Sequence, residues 1–192
     1  MNKRLEAAMK KINYLESELD WQGDVLNEQH MEFDEYWRSW CAENDIEPPN
    51  FEKPKPPPPT SEKPVEIEQV EVSEEVMLGR THFKVTYKKL AMAVHPDKND
   101  GEDEDFKQLN FAWAEGKWSI IINLAIKYDI AIHNSKEIIR LLNKEAKDLE
   151  DKRAKNESMF SWKFWECGDD EECKERLIKH FMNTVTIMKK GE

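Results

Sequence analysis

Tyr87-Lys88-Lys89-Leu90-Ala91-Met92-Ala93-Val94-His95-Pro96-Asp97-Lys98-Asn99 is the stretch whose reading decides the fold. With Phe83 before it, Tyr87, Leu90, Ala91 and Val94 recur at helical spacing and form one apolar stripe. Pro96 pushes His95 out of the α conformation, so a helix has to stop there. Asp97, Asn99, Asp100 and Gly101 are turn formers. Asp103 stands where it can cap a second helix. That helix carries Phe106, Leu109 and Trp113. The stretch therefore predicts a helical hairpin with a polar tip that bears an imidazole.

The first arm of this hairpin is also basic. From Val76 to Pro96 there is no acidic side chain, although the chain holds 40 Asp and Glu. Arg80, Lys84 and Lys88 repeat at four-residue spacing and share one helix face. A basic stripe on a protein of net charge −11 suits an acidic partner surface, where it would add encounter rate and orientation. It also fits an ordinary solvated helix face.

Composition narrows the class. Of the 192 residues 36% are charged and 39% hydrophobic, which fits small helical units with much solvated surface. Six glycines are too few for the turns of a β-sandwich or a nucleotide-binding α/β enzyme. The charge of −11 argues against general binding to nucleic acid or to an anionic membrane. No run approaches 18 apolar residues, so no transmembrane helix is expected. Charges at Lys3, Arg4, Glu6, Lys10 and Lys11 occupy the place of a signal-peptide core. Cys41, Cys167 and Cys173 make no disulfide framework, so free thiols in a reducing cytoplasm are the expectation.

Working outward, eight of the nine prolines lie between Pro48 and Pro64, including Pro56-Pro57-Pro58-Pro59. They read as a semi-rigid polyproline spacer, or alternatively as a ligand for a partner domain. Before them, Leu5, Ala8, Ile12, Leu15, Leu19, Gln22, Leu26, Gln29, Phe33, Tyr36 and Trp40 alternate spacings of three and four. This seam fits a modest coiled coil or helical hairpin, open to self-association through residues 2–44. It fits equally an amphipathic helix docked on the rest of the chain. Beyond the hairpin, Ile120, Ile121, Leu124 and Tyr128 continue the second stripe, with Gly116 as a break or bend. Asn134-Ser135-Lys136-Glu137 resembles a capping box and opens a helix with Ile138, Leu142, Ala146 and Leu149. An aromatic loop from Met159 to Trp165 then precedes a last helix from about Asp169 to Lys189. The aromatic loop suits either an exposed docking site or a plug between helices.

Tyr87 to Asn99 resembles the second helix and loop of a J domain, and Phe106-Lys107-Gln108-Leu109-Asn110-Phe111-Ala112-Trp113 resembles its third helix. The close match is limited to residues 80–115. On it the chain resembles the DnaJ-like co-chaperones, and in particular those with a J domain plus unrelated appendages, as virus- or phage-encoded and specialised members have. The resemblance implies an antiparallel hairpin that binds a DnaK-type heat-shock ATPase, stimulates its ATP hydrolysis and directs it to a client protein. It makes His95, Pro96 and Asp97 the trigger, and Lys84, Tyr87, Lys88 and Lys89 partner-contacting residues. It implies Leu90, Ala91, Phe106, Leu109 and Trp113 as the hairpin core. It implies no cofactor and no catalysis by the chain itself.

The sequence also departs from that family. Leu78-Gly79 sits nearer the tripeptide than the family's first-helix Leu-Gly pattern, and Val65 to Leu78 is not clearly amphipathic. There is no glycine-phenylalanine-rich region and no repeated Cys-x-x-Cys zinc domain. A structural or scaffolding protein that keeps a J-like hairpin without co-chaperone activity is the alternative. The expected organisation is all-α: an N-terminal helix or coiled coil at 2–44, a proline-rich linker at 45–66, a J-like domain at 67–130 and a helical extension at 131–192. Cys167, Cys173 and His180 lack zinc-ligand spacing, so no metal site is expected. His95 has no adjacent nucleophile, and no phosphate loop is present.

Overall fold

The structure is a computed structural model, and it describes residues 2–48, 73–98, 103–132 and 135–190. Among the described residues it is all-helical: α1 (Lys3–Glu43), α2 (Glu74–Ala93), a 3-10 turn (Pro96–Lys98), α3 (Glu104–Glu115), α4 (Trp118–Lys127), α5 (Lys136–Glu157), α6 (Phe160–Cys167) and α7 (Glu171–Lys190). The proline-rich stretch from Pro49 onward lies outside the described residues. No helix among them is long and apolar enough to cross a membrane.

The helix ends follow from local chemistry. The Ser73 hydroxyl accepts from Val76 N–H to open α2, and the Ser135 hydroxyl accepts from Ile138 N–H to open α5. Three helices close alike. Asp45, Gly116 and Asp129 take positive φ of 53°, 69° and 51°. The next N–H in each case reaches back five residues: Ile46 to Cys41 O, Lys117 to Ala112 O, Ile130 to Ala125 O. This satisfies carbonyls that the last helical turn leaves open. Gly116 thus breaks the second apolar run into α3 and α4. Asp103 takes the N-cap position of α3, but its side chain caps nothing and pairs with Lys107 at 2.8 Å instead.

The described residues fall into two compact units, those within 1–18 and 69–151 and those within 19–68 and 152–192. They are composed differently from the segments expected at 2–44, 67–130 and 131–192, because α1 and α5 each supply residues to both. In the first unit Leu5, Ile12, Phe83, Leu90, Leu109, Ile121, Ile122, Ile138 and Leu142 are fully buried. The seam of α1 is therefore covered within one chain: Leu5, Ala8, Ile12 and Leu15 here, Gln22 and Phe33 in the second unit. The docked amphipathic helix is the observed form, and α1 runs unbroken through Gly23.

In the second unit Phe33, Trp37, Cys41, Phe164 and Ile178 form the core, with Tyr36, Trp40, Phe160, Leu177, Phe181 and Met182 packed on it. The expected aromatic loop is mostly helix α6, with Trp162 and Phe164 buried. The expectation of free thiols at Cys167 and Cys173 is overturned: the two are joined by a disulfide. The cause is the reversal at Gly168–Asp170, which sets their Cα atoms 5.6 Å apart, within disulfide reach. Cys41 alone is free, and it is buried.

Candidate functional site: the hairpin tip and its basic arm

Three side-chain contacts set the register of α2 on α3. Arg80 meets Trp113 and Ala114, Tyr87 meets Asn110 and Trp113, and His95 meets Phe106. Partners descend along α3 as positions rise along α2, so the pair is an antiparallel hairpin. Phe83, Leu90, Val94 and Leu109 are buried, with Phe83 stacked on Trp118 of α4. Ala91, Phe106 and Trp113 are half-buried.

At the tip, Val94 N–H donates the last helical bond, to Leu90 O at 2.8 Å. His95 follows outside the helix. Asp97 N–H donates to His95 Nδ1 at 3.3 Å, and an Asp97 carboxylate oxygen lies 3.5 Å from the same nitrogen. The imidazole rests edge-on against Phe106 with centroids 5.7 Å apart. The His95 side chain is 48% exposed and that of Asp97 87%. Two exposed polar groups and a half-buried proline are thus held in one arrangement by short-range contacts.

The basic arm divides by role. Lys84, Lys88 and Lys89 are exposed, and none forms an ion pair or hydrogen bond with another described residue. Arg80 is spent inside the hairpin: Nε donates to Trp113 O at 3.3 Å and a terminal nitrogen to Ala114 O at 3.4 Å. A cation at these carbonyls also meets the negative end of the α3 dipole. Tyr87 is half-buried, donates to Asn110 Oδ1 at 2.9 Å and stacks on Trp113 at 4.2 Å. Of the sequence-predicted residues, His95, Pro96 and Asp97 lie together at the tip, and Lys84, Lys88 and Lys89 lie on the open side of α2. Tyr87 stands in the hairpin seam.

Leu78-Gly79 lies inside α2, not in a preceding helix. A side chain at Gly79 would enter the Trp118 indole, which stacks parallel on Phe83 at 5.2 Å. Gly79 therefore serves the seat of α4 on α2.

Sequence reasoning missed a buried carboxylate. Glu145 of α5 accepts from Ser119 O–H at 2.7 Å and Ser119 N–H at 3.1 Å, at the N-terminus of α4. It replaces the local cap that Lys117 cannot provide. Burial pushes its carboxyl above the usual range, against the pull of these bonds and of Lys117. The signal was present: Glu145 falls on the apolar stripe of α5 between Leu142 and Leu149. A cavity of about 210 Å³ beside it is lined by Glu75, Glu115, Lys117, Lys144 and Asp148, among others. At the other end of α4, Asp105 accepts from Lys127 Nζ at 2.6 Å and from Tyr128 O–H at 2.5 Å, and both hold its carboxyl below the usual range.

No group of three or more His, Cys, Asp or Glu among the described residues could hold a metal ion. No family model, curated protein or solved structure matches the chain.

Proposed function

We propose that the chain is a J-domain-like co-chaperone that binds a DnaK-type heat-shock ATPase, stimulates its ATP hydrolysis and directs it to a client protein. The observation that carries the reading is the exposed His95-Pro96-Asp97 tip, pinned by His95 against Asp97 and Phe106 at the end of an antiparallel hairpin. A hairpin that only fills space has no use for two exposed polar side chains held in one geometry. Lys84, Lys88 and Lys89, with no carboxylate partner among the described residues, support docking on an acidic surface. In this reading the chain is not itself an enzyme, takes no cofactor and works in the cytoplasm, where such ATPases act. The rest of the chain selects the client or the site of action.

One observation favours the alternative, a scaffolding protein that keeps the hairpin alone. Leu78-Gly79 is built into α2, with Gly79 against Trp118, so it cannot play the part of the family's first helix. Single-turnover ATP hydrolysis by a DnaK-type protein, with and without the full chain, separates the two. Stimulation that His95→Gln and Asp97→Asn each abolish, with helical content unchanged, supports the co-chaperone. Absent stimulation, or stimulation that both variants retain, sinks the mechanism. The substitutions lie on an exposed turn, where folding energy is little affected.

A further inference from the structure

The reversal between α6 and α7 is built without sulfur. Gly168 takes φ 53° after α6. Asp170 N–H donates to Cys167 O at 3.0 Å, Asp170 Oδ1 accepts from Cys173 N–H at 3.0 Å, and Lys174 N–H donates to Asp170 O at 3.1 Å. Backbone groups and one carboxylate thus set Cys167 beside Cys173 whether or not the sulfurs are bonded. Both cysteines are half-exposed, so a small thiol reaches them. Cys41 cannot compete: it is fully buried against Met182 Sδ at 3.9 Å, and burial pushes its thiol up.

The link matters because of what α7 carries. Ile178 is in the core of the second unit, and Leu177, Phe181 and Met182 pack on it. Phe181 meets Phe33 at 5.2 Å and Phe160 at 5.1 Å. Opening of α7 exposes this cluster to water. Tying the first turn of α7 to the end of α6 removes freedom from the opened state and leaves the packed state unchanged.

We propose that Cys167 and Cys173 are a reversible redox staple of the α6–α7 hairpin, closed by a glutathione-type disulfide and opened by the matching thiol. One cysteine thiolate attacks a glutathione sulfur, forms a mixed disulfide and expels one glutathione thiolate. The other cysteine gives up its proton, attacks the protein sulfur of that mixed disulfide and expels the second glutathione thiolate. Two protein thiols and one glutathione disulfide become one protein disulfide and two glutathione thiols, so the electron pair leaves on glutathione. The device does not depend on the co-chaperone reading. In a reducing compartment the chain carries two thiols here, and oxidation tightens the second unit.

The surroundings set the rate. Glu166, Asp169, Asp170, Glu171 and Glu172 flank the pair and are exposed; Lys163, Lys174 and Arg176 offset Glu166, Glu171 and Glu172. The excess of carboxylates slows an anionic thiol or disulfide, so added salt speeds the exchange.

The test uses the full chain equilibrated across glutathione thiol-to-disulfide ratios, then alkylated after unfolding and weighed. Alkylated cysteines should fall from three to one as the disulfide form comes to dominate. Amide exchange supplies the second readout. For a seven-residue loop, chain entropy gives about 50-fold faster exchange at Ile178 and Phe181 in the reduced chain, with Leu109 of α3 unchanged. A Cys167→Ser/Cys173→Ser variant should match the reduced chain at every ratio. Three alkylated cysteines throughout, a cross-link between chains, or equal α7 exchange in both forms would overturn the proposal.

Discussion

Gly79→Ala should destabilise the protein, although helix propensity alone says the opposite. Alanine in a helix interior is favoured over glycine by about 1 kcal/mol. Against that stands Trp118. A Cβ at position 79 would lie 2.7 Å from Trp118 Cη2 and closer still to Cζ2 and Cε2. The indole has nowhere to go: it is 3% exposed, parallel to Phe83 at 5.2 Å and edge-on to Trp113 at 6.3 Å. Overpacking of this kind costs about 1–3 kcal/mol, and a rigid ring places it at the upper end. The net loss is about 2 kcal/mol, or a fall of roughly 4–8 °C in Tm for a chain of this size. Gly23→Ala is the internal control. It also lies within a helix, a methyl group there would have no neighbouring atom within 4 Å, and the substitution should gain about 0.5–1 kcal/mol. Urea and thermal unfolding followed by circular dichroism measure both. A Trp118→Leu background should turn the effect of Gly79→Ala from loss to gain. If Gly79→Ala raises the midpoint as Gly23→Ala does, the account of the α2–α4 contact is wrong.

Two further substitutions test the buried cap and the open basic face. Glu145 has a raised carboxyl in the folded state, so its contribution to stability is fully present below the ordinary carboxylate value and is lost as pH rises through the raised one. Glu145→Gln should flatten that part of the stability-against-pH curve, and an unchanged slope would place its origin elsewhere. Lys84→Glu with Lys88→Glu should leave stability within about 0.5 kcal/mol of wild type, since neither lysine has a partner among the described residues. The same pair should weaken binding to a DnaK-type ATPase strongly. Wild-type association should slow with salt, and binding indifferent to both would move docking to another face.

The parts of the fold that were legible in the sequence are those with a local cause. Pro96 ends α2, Gly116 splits α3 from α4, and Ser135 opens α5. In each case one residue type has few alternatives. The seam of α1 was legible as a pattern, but what covers it was not. Leu5 and Ile12 would look the same against a second copy as against their own chain, and only the tertiary arrangement decides. The disulfide was illegible for a related reason. Spacing says nothing about a reversal that depends on Gly168 at positive φ and on one Asp170 carboxylate. Glu145 was hidden among 40 acidic residues, and only its place on an apolar stripe distinguished it.

Arg80 shows how a periodic stripe can mix two roles. With Lys84 and Lys88 it repeats every four residues, and sequence alone assigns all three to one face with one task. In the structure its guanidinium reaches the Trp113 and Ala114 carbonyls, and its carbon lies 5.9 Å from the Trp113 ring centroid. These are the open carbonyls at the end of α3, which a cation stabilises by about 0.3–1 kcal/mol. Arg80→Gln should therefore lower Tm by a few degrees at most, with the loss shrinking as salt screens the charge–dipole part. Lys84→Gln should leave Tm where it is and weaken salt-sensitive docking instead. The two substitutions remove the same charge one helical turn apart, so any difference between them reports geometry and not net charge. If Arg80→Gln leaves Tm untouched and weakens docking as much as Lys84→Gln, Arg80 belongs to the open face and its bonds to α3 contribute nothing measurable. If Lys84→Gln lowers Tm as much as Arg80→Gln, the division of α2 into an inner and an open side fails, and with it the docking surface drawn from that division.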